Sequence, residues 1–284
     1  MSDTIKIIQR IELDLLREFI RVCELNNLRY FILGGTLLGA VRHNGFIPWD
    51  DDIDVGMPRE DFEKLKSLSQ DVFQNPYYCI HDENDSNYTK AFMKLQDQRT
   101  SIIMTYSNER KPERIWIDIF PIDGMPARKI SRKIHEFRYL YSRMMVQLSQ
   151  FDRIVNQSKK NRPAIENIII RIAKIINFQK LLSYEKRHKA YNNILAKYNI
   201  SEEYAGNLSG AYKLKEVVPS NYFGKGVKLN FAGIDVNAPE KYKDYLTAIY
   251  GKNFMQLPPV DDRLPHQYEI VSLGEYDMTK LGDK

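Results

Sequence analysis

Two cysteines, Cys23 and Cys79, are all that the 284 residues contain. Two thiols make neither a disulfide framework nor a zinc-ligand pattern, and they fit a reducing compartment. Long apolar runs are also missing. Patches such as residues 168–170 are far shorter than the roughly 20 residues a membrane-spanning helix needs. The opening MSDTIKIIQRIELDLL carries charges through its apolar run and lacks a small-residue cleavage site, so it does not read as a signal peptide. Repeats and low-complexity tracts are absent as well. The expectation is a cytoplasmic globular protein, and its 43% hydrophobic and 12% aromatic content argues against disorder.

Charge is present but unevenly placed. The net charge is +5, yet residues 128–189 hold 16 Lys/Arg against Glu136, Asp152, Glu166 and Glu185, leaving −7 for the rest. A basic helical segment suits an anionic membrane or polymer, and a solvated helical face is the plainer alternative. Within it, Ile165, Ile168, Ile169, Ile172, Ile175 and Ile176 share one helical side, as an interfacial or a core helix would arrange them. No nucleic-acid-binding module is recognisable, so nucleic acid is not an expected partner.

The pattern of apolar residues predicts the elements. Ile8, Ile11, Leu15, Phe19 and Val22 recur at helical spacing over residues 5–26. Short strands follow at 29–33 and 53–57, with a helical turn at 36–42 between them and a helix at 60–68 after them. Further strands are expected at 77–81, 91–95, 101–105 and 115–120. From residue 128 the texture becomes long and helical, with breaks near Asn161-Arg162-Pro163 and Asn177. After Ser201 it returns to short mixed elements. The chain therefore reads as an α/β (α+β) protein with a mixed sheet and one catalytic domain over residues 1–284. It has a core at 1–127, a basic helical insertion at 128–200, and a segment at 201–284 that completes the core.

Acidic residues carry the chemistry. In the run Asp50-Asp51-Asp52-Ile53-Asp54, residues two apart on a strand share a face, so Asp52 and Asp54 point together. Paired carboxylates repel unless a cation lies between them, and Mg²⁺ takes one or two carboxylates plus water and phosphate oxygens. Asp118 sits between Ile117 and Ile119 in an apolar strand, where an acid is costly unless it is paired or metal-bound. It reads as a third ligand or as the base for an attacking hydroxyl. Gly34-Gly35-Thr36 follows a strand and opens a helical turn, which suits close approach of a phosphate. Arg42, His43 and Lys94 are candidate phosphate contacts, and Lys94 lies between Met93 and Leu95 in a predicted strand.

These residues fall in the block GGTLLGAVRHNGFIPWDDDIDVGMPREDFEKL (34–65), which closely resembles the signature of the LicD family, related to the fukutin group. The resemblance continues at KLQDQRTS (94–101), WIDIFPIDGMP (116–126) and residues 206–259. It implies a nucleotidyltransferase-like fold and a Mg²⁺ site (Mn²⁺ as an alternative) held by Asp52, Asp54 and Asp118. It also implies a CDP-alcohol donor such as CDP-choline, and a glycan acceptor in teichoic acid, lipopolysaccharide or capsule. A lipid-linked acceptor would bring the enzyme to the inner face of a membrane. Arg263 and His266 match the family's ending, whereas Ala232 stands where the family has an acid. For a choline headgroup, Trp49, Trp116, Tyr212 and Tyr222 are the candidate aromatic faces. The rival readings are a metal-dependent glycosyltransferase using a nucleotide sugar, and a non-catalytic glycan- or membrane-interaction protein. A sizeable nucleotide-binding half before the acids would favour the former, and loss of Asp52, Asp54 or Asp118 or a broken glycine turn the latter; neither is seen.

Overall fold

The first helix, α1 (Asp3–Leu25), shows how the chain builds its core. Its apolar residues recur every three or four positions, so Ile8, Ile11, Leu15, Phe19 and Val22 all lie on the buried face. Burying each such side chain stabilises the fold by about 1.5–3 kcal/mol. The helix stops at Asn26-Asn27, where Asn27 takes a left-handed φ of 52°. A computed structural model describes residues 3–105, 112–151, 170–171, 181–263 and 268–276 of the chain.

After α1 come β1 (Phe31–Ile32), α2 (Gly34–His43), β2 (Asp54–Pro58), α3 (Arg59–Ser67), β3 (Tyr77–Ile80), β4 (Met93–Met104) and β5 (Pro112–Met125). Then follow α4 (Lys129–Ser149), α5 (Tyr184–Leu195), β6 (Tyr204–Gly206), β7 (Val218–Pro219), the hairpin β8 (Val227–Phe231) and β9 (Ile234–Ala238), α6 (Tyr242–Tyr250) and β10 (Tyr268–Ser272). The central sheet runs β1-β2-β5-β4-β10, with β3 joined to β4 and β6-β7 joined to β5. Among the described residues only β2 and β5 pair in parallel; the other ladders are antiparallel, so the sheet is mixed, as expected of an α+β fold.

Several expected elements change length. The strand at 29–33 shrinks to two residues, because the turn into α2 starts at Gly34, whose φ is 50°. The helical turn at 36–42 grows into α2. The strands at 91–95 and 101–105 are one long strand, β4, whose register against β5 breaks between Asp97 and Ile102. The strand at 115–120 extends to Met125, where its far end meets β6. Along it Ile115, Ile117 and Ile119 are buried while Trp116 and Asp118 are half-buried, as period-two alternation requires.

The ends of the basic segment are helical. Helices α4 and α5 pack together through Tyr139 and Tyr191, whose rings stack 6.1 Å apart. Met125, Val146, Leu195 and Leu208 complete that small apolar cluster. The expected breaks at 161–163 and 177 lie outside the described residues, as does the isoleucine-lined helix apart from Ile170 and Arg171.

One ion pair locks the far end of the sheet. Arg59, at the start of α3, donates two hydrogen bonds of 2.7 Å to the fully buried carboxylate of Asp123 on β5. A buried carboxylate that loses its only strong partner is left uncompensated. Arg59→Met is therefore expected to destabilise the protein by about 3–5 kcal/mol, read from urea unfolding. The pair Arg59→Met/Asp123→Leu should recover most of that loss, and a single variant as stable as wild type would refute the role.

Candidate active site

The parallel register of β2 and β5 sets Asp54 opposite Asp118. The Asp118 N–H donates to the Ile53 carbonyl at 2.9 Å, so the pairing reaches one residue beyond the regular strand. Sequence reading placed Asp52 and Asp54 on one face of a strand at 53–57. The strand instead begins at Asp54, and Asp52 lies in the segment that leads into it. Asp52 and Asp118 line a cavity of about 150 Å³, whereas Asp54 faces the glycine turn.

The three acids still feel one another. Asp54 is held well above the usual carboxylate range by burial first, then by the charges of Asp52 and Asp118. The Asp118 carboxyl is raised to about 6 by burial, which Lys94 opposes and Asp52 reinforces. Asp118 Oδ1 is buried without a hydrogen-bond partner among the described residues. An all-oxygen donor set with an unsatisfied buried oxygen fits a hard divalent cation. Among the described residues no three His, Cys, Asp or Glu side chains are gathered closely enough to hold a metal between them. Mg²⁺ needs no more than one or two carboxylates when water and phosphate fill its shell.

On one side lies the glycine turn. A Cβ on Gly34 would stand 3.0 Å from Asp54 Oδ2, and one on Gly35 would stand 2.7 Å from Asp50 Oδ2. Any side chain at Gly35 would force that acid away. Thr36 fixes the strand start by accepting the Asp54 N–H on its hydroxyl at 2.8 Å. Arg42 donates to the carbonyls of Phe254 and Gln256, both at 3.1 Å, and so ties α2 to the C-terminal loop. His43 sits edge-on to Trp49 at 6.3 Å, and the Arg263 guanidinium lies 5.0 Å from the centre of the Trp49 ring. Arg42, His43, Trp49 and Arg263 thus form one basic and aromatic group beside Asp50. His266 lies outside the described residues.

On the other side lies the cavity. Lys94, on β4, is the register partner of Asp118. Its ammonium rests 3.3 Å from the centre of the Trp116 ring and pairs with Glu113 at 3.1 Å. Phe92, Trp116 and Tyr268 give the cavity its aromatic walls, and Glu12, Asp51, Asp52 and Asp118 give it carboxylates. Of the other candidate aromatics, Tyr212 contacts Tyr250 across 3.5 Å, and Tyr222 packs against the main core.

Sequence reading missed two acids. Glu12 is buried on α1, with Oε2 unpartnered among the described residues. Burial, then Asp52, Asp51 and Asp50, push its carboxyl well above the usual range. An acid four residues after Ile8 and three before Leu15 breaks an apolar helical face, and that was a readable signal. Glu216 is buried beside Tyr245, whose hydroxyl donates to it at 3.2 Å. Its position in a short irregular stretch carried no comparable mark. Ala232, where the family has an acid, sits at φ 51° in the β8–β9 turn and donates its N–H to the Asn44 carbonyl. Its Cβ lies over Gly45.

Comparison with known proteins bears on this arrangement. Residues 27–147 match the LicD/FKTN/FKRP nucleotidyltransferase domain. The lipopolysaccharide cholinephosphotransferase LicD of Haemophilus influenzae is 31% identical over 268 residues, covering 92% of this chain and 95% of that protein. The chain belongs to the LicD family. It is a phosphotransferase of the LicD type. The ribitol 5-phosphate transferase FKRP of mouse and of human is 44% identical over 52 residues, or 18% of this chain and 10% of that protein. Asp52, Asp54, Asp118, Gly34, Gly35, Thr36, Arg42, His43 and Lys94 fall inside the matched domain of this LicD-family chain, whereas Arg263, His266, Tyr212, Tyr222, Tyr268, Glu12 and Glu216 fall outside it.

Glu216 makes stability pH-dependent in a defined direction. Burial raises its carboxyl from 4.5 to about 7. Between those values the folded state holds a proton that the unfolded chain has lost, so stability falls as pH rises through that window. Glu216→Gln removes this contribution. Its melting temperature should fall less than the wild type's between about pH 5 and pH 8, and equal slopes would exclude the assignment.

Proposed function

We propose that this LicD-family enzyme transfers phosphocholine, or a similar phospho-alcohol, from a CDP-activated donor to a hydroxyl of a cell-surface glycan such as teichoic acid, lipopolysaccharide or capsule. The observation that carries the reading is the Asp54–Asp118 register on neighbouring parallel strands, with Asp52 close enough for its charge to act on both. Its support from relatives is the likeness to a lipopolysaccharide cholinephosphotransferase along nearly the whole of both chains.

One or two of Asp52, Asp54 and Asp118 would hold Mg²⁺, or Mn²⁺ in its place, with water and donor phosphate filling the rest of its shell. When bound, such an ion neutralises charge that builds on the phosphoryl oxygens. Where it is not a metal ligand, Asp118 is suited to act on the acceptor instead. With its carboxyl near 6 it is ionised at neutral pH, yet more basic than an ordinary aspartate. It takes the proton of the attacking hydroxyl as the new oxygen–phosphorus bond forms. The bond from that phosphorus to the CMP oxygen breaks, and CMP leaves. Most of the remaining effect is positioning.

The two sides of the site suit the two ends of the donor. The Arg42, His43 and Arg263 group, with the Gly34-Gly35 turn, offers cations and backbone approach for phosphates. The cavity beside Asp118 combines carboxylates with aromatic faces, the surroundings a quaternary ammonium favours. Lys94 already sets a cation on the Trp116 ring. A second cavity, of about 530 Å³, shares Phe92 with the first and is lined by His81, Tyr88, His188 and Asn192, among others. It leaves room for a glycan acceptor between core and insertion. A lipid-linked acceptor would place the reaction at the inner face of a membrane.

The direct test is CMP release from CDP-choline in the presence of glycan acceptors, with Mg²⁺ or with chelator. Metal-dependent release is expected, and Asp52→Asn and Asp118→Asn should each lower turnover by about 10²–10⁴-fold with the fold intact. No release across a panel of CDP-alcohols and acceptors would sink the reading. Trp116→Leu should raise the KM for CDP-choline by about tenfold and that for CDP-ribitol far less. Equal effects on both donors would remove Trp116 from headgroup recognition.

A further inference from the structure

Helix α4 has two apolar faces, and among the described residues only one of them is buried. His135, Tyr139, Ser142 and Val146 recur at spacings of four, three and four and are buried. Ile130, Ile134, Phe137 and Tyr141 follow the same spacing, displaced by five residues. Five residues turn a helix by about 140°, so this second stripe points away from the core. Its members are 77%, 56%, 70% and 49% exposed. Of the twelve large apolar side chains exposed among the described residues, five lie on this one helix, Leu140 being the fifth. Isolated apolar residues on a surface are ordinary, but a continuous stripe over three turns marks a contact face.

The charges around the stripe narrow down what it contacts. Residues 127–141 hold Arg128, Lys129, Arg132, Lys133 and Arg138 against the single acid Glu136. Glu136 is paired with Lys133 at 2.7 Å, and Arg132 is turned onto the Tyr204 ring at 4.0 Å. Arg128, Lys129 and Arg138 are exposed. Long basic side chains beside an apolar stripe can reach headgroups while their stems lie along acyl chains. A protein groove would have to match both the stripe and its positive border, whereas an anionic bilayer supplies both at once. No helix among the described residues is long and apolar enough to cross a membrane, so contact through α4 would be at the interface.

We infer that the outer face of α4 lies in the headgroup region of an anionic bilayer, with Ile130, Ile134, Phe137 and Tyr141 inserted and Arg128, Lys129 and Arg138 on lipid phosphates. This takes from the proposed function only the idea of a lipid-linked acceptor. Helix α4 begins four residues after β5, the Asp118 strand, so the docked helix and the base share one continuous stretch of chain.

The test is sedimentation with sucrose-loaded vesicles of phosphatidylcholine, with or without about 30 mol% phosphatidylglycerol. The full chain is used without donor, acceptor or metal, so the result does not depend on the catalytic reading. The wild type should pellet with the anionic vesicles, and raising salt from about 0.1 to about 0.5 M should weaken this. Ile134→Ser/Phe137→Ser should lower the bound fraction by about tenfold. Both side chains are exposed, so melting temperatures should match, and Lys129→Glu/Arg138→Glu provides a second, charge-only variant with a similar loss. Failure of the wild type to pellet would overturn the inference, and so would binding that neither variant reduces. So would a dimer in light scattering that the Ile134→Ser/Phe137→Ser variant dissolves, because the stripe's occupant would then be a second copy.

Discussion

The molecule depends on one piece of backbone pairing, the parallel ladder between β2 and β5. Among the described residues it is the only parallel contact in the central sheet, and it sets Asp54 directly beside Asp118. Two carboxylates at neighbouring positions, with Asp52 just before the strand, repel one another and lose solvation together. Core residues on both strands, among them Val55, Met57, Ile117 and Ile119, are fully buried and keep the register from slipping. The sheet therefore stores an electrostatic strain at one spot. Raised carboxyl pKa values, a neighbouring lysine and an unsatisfied oxygen on Asp118 are its local signs.

Around that spot the chain builds two different environments. On the side of α2, tight glycines bring backbone against Asp50 and Asp54, and two arginines and a histidine gather near Trp49. On the side of α1, the walls are aromatic and the polar groups are acids and two lysines, Lys90 and Lys94, the latter seated on Trp116. A bipolar site of this kind suits a bipolar donor, with phosphates at one end and a headgroup at the other. Under the proposed function, the acids between the two sides would stand at the bond that breaks.

The helices after β5 extend the same logic outward. Helix α4 packs its inner face on the cluster that closes the end of the sheet, through Met125 and Tyr139. Its outer face carries a second apolar stripe with a basic border. Composition showed only that residues 128–189 were strongly basic. It could not show which helical face was left open, because that depends on which of two similarly spaced apolar stripes the rest of the protein covers.

Some of this protein was determined by its sequence alone. The period of Ile8, Ile11 and Leu15 dictates an amphipathic helix, and the alternation through Trp116 to Phe120 dictates a strand with Asp118 facing away from the isoleucines. Gly34-Gly35, the acid run and the motif around Asp118 announced the family and its chemistry. These are local signals, written in spacing and residue type. Tertiary structure decided what spacing cannot encode: that Asp52 lies outside the strand, that Asp54 and Asp52 face different sides of the site, and that Glu12 and Glu216 come from distant segments to join it. Their carboxylates act on the site through space, across a low-dielectric interior, and only the folded arrangement of α1, β2, β5 and the C-terminal segment sets those distances.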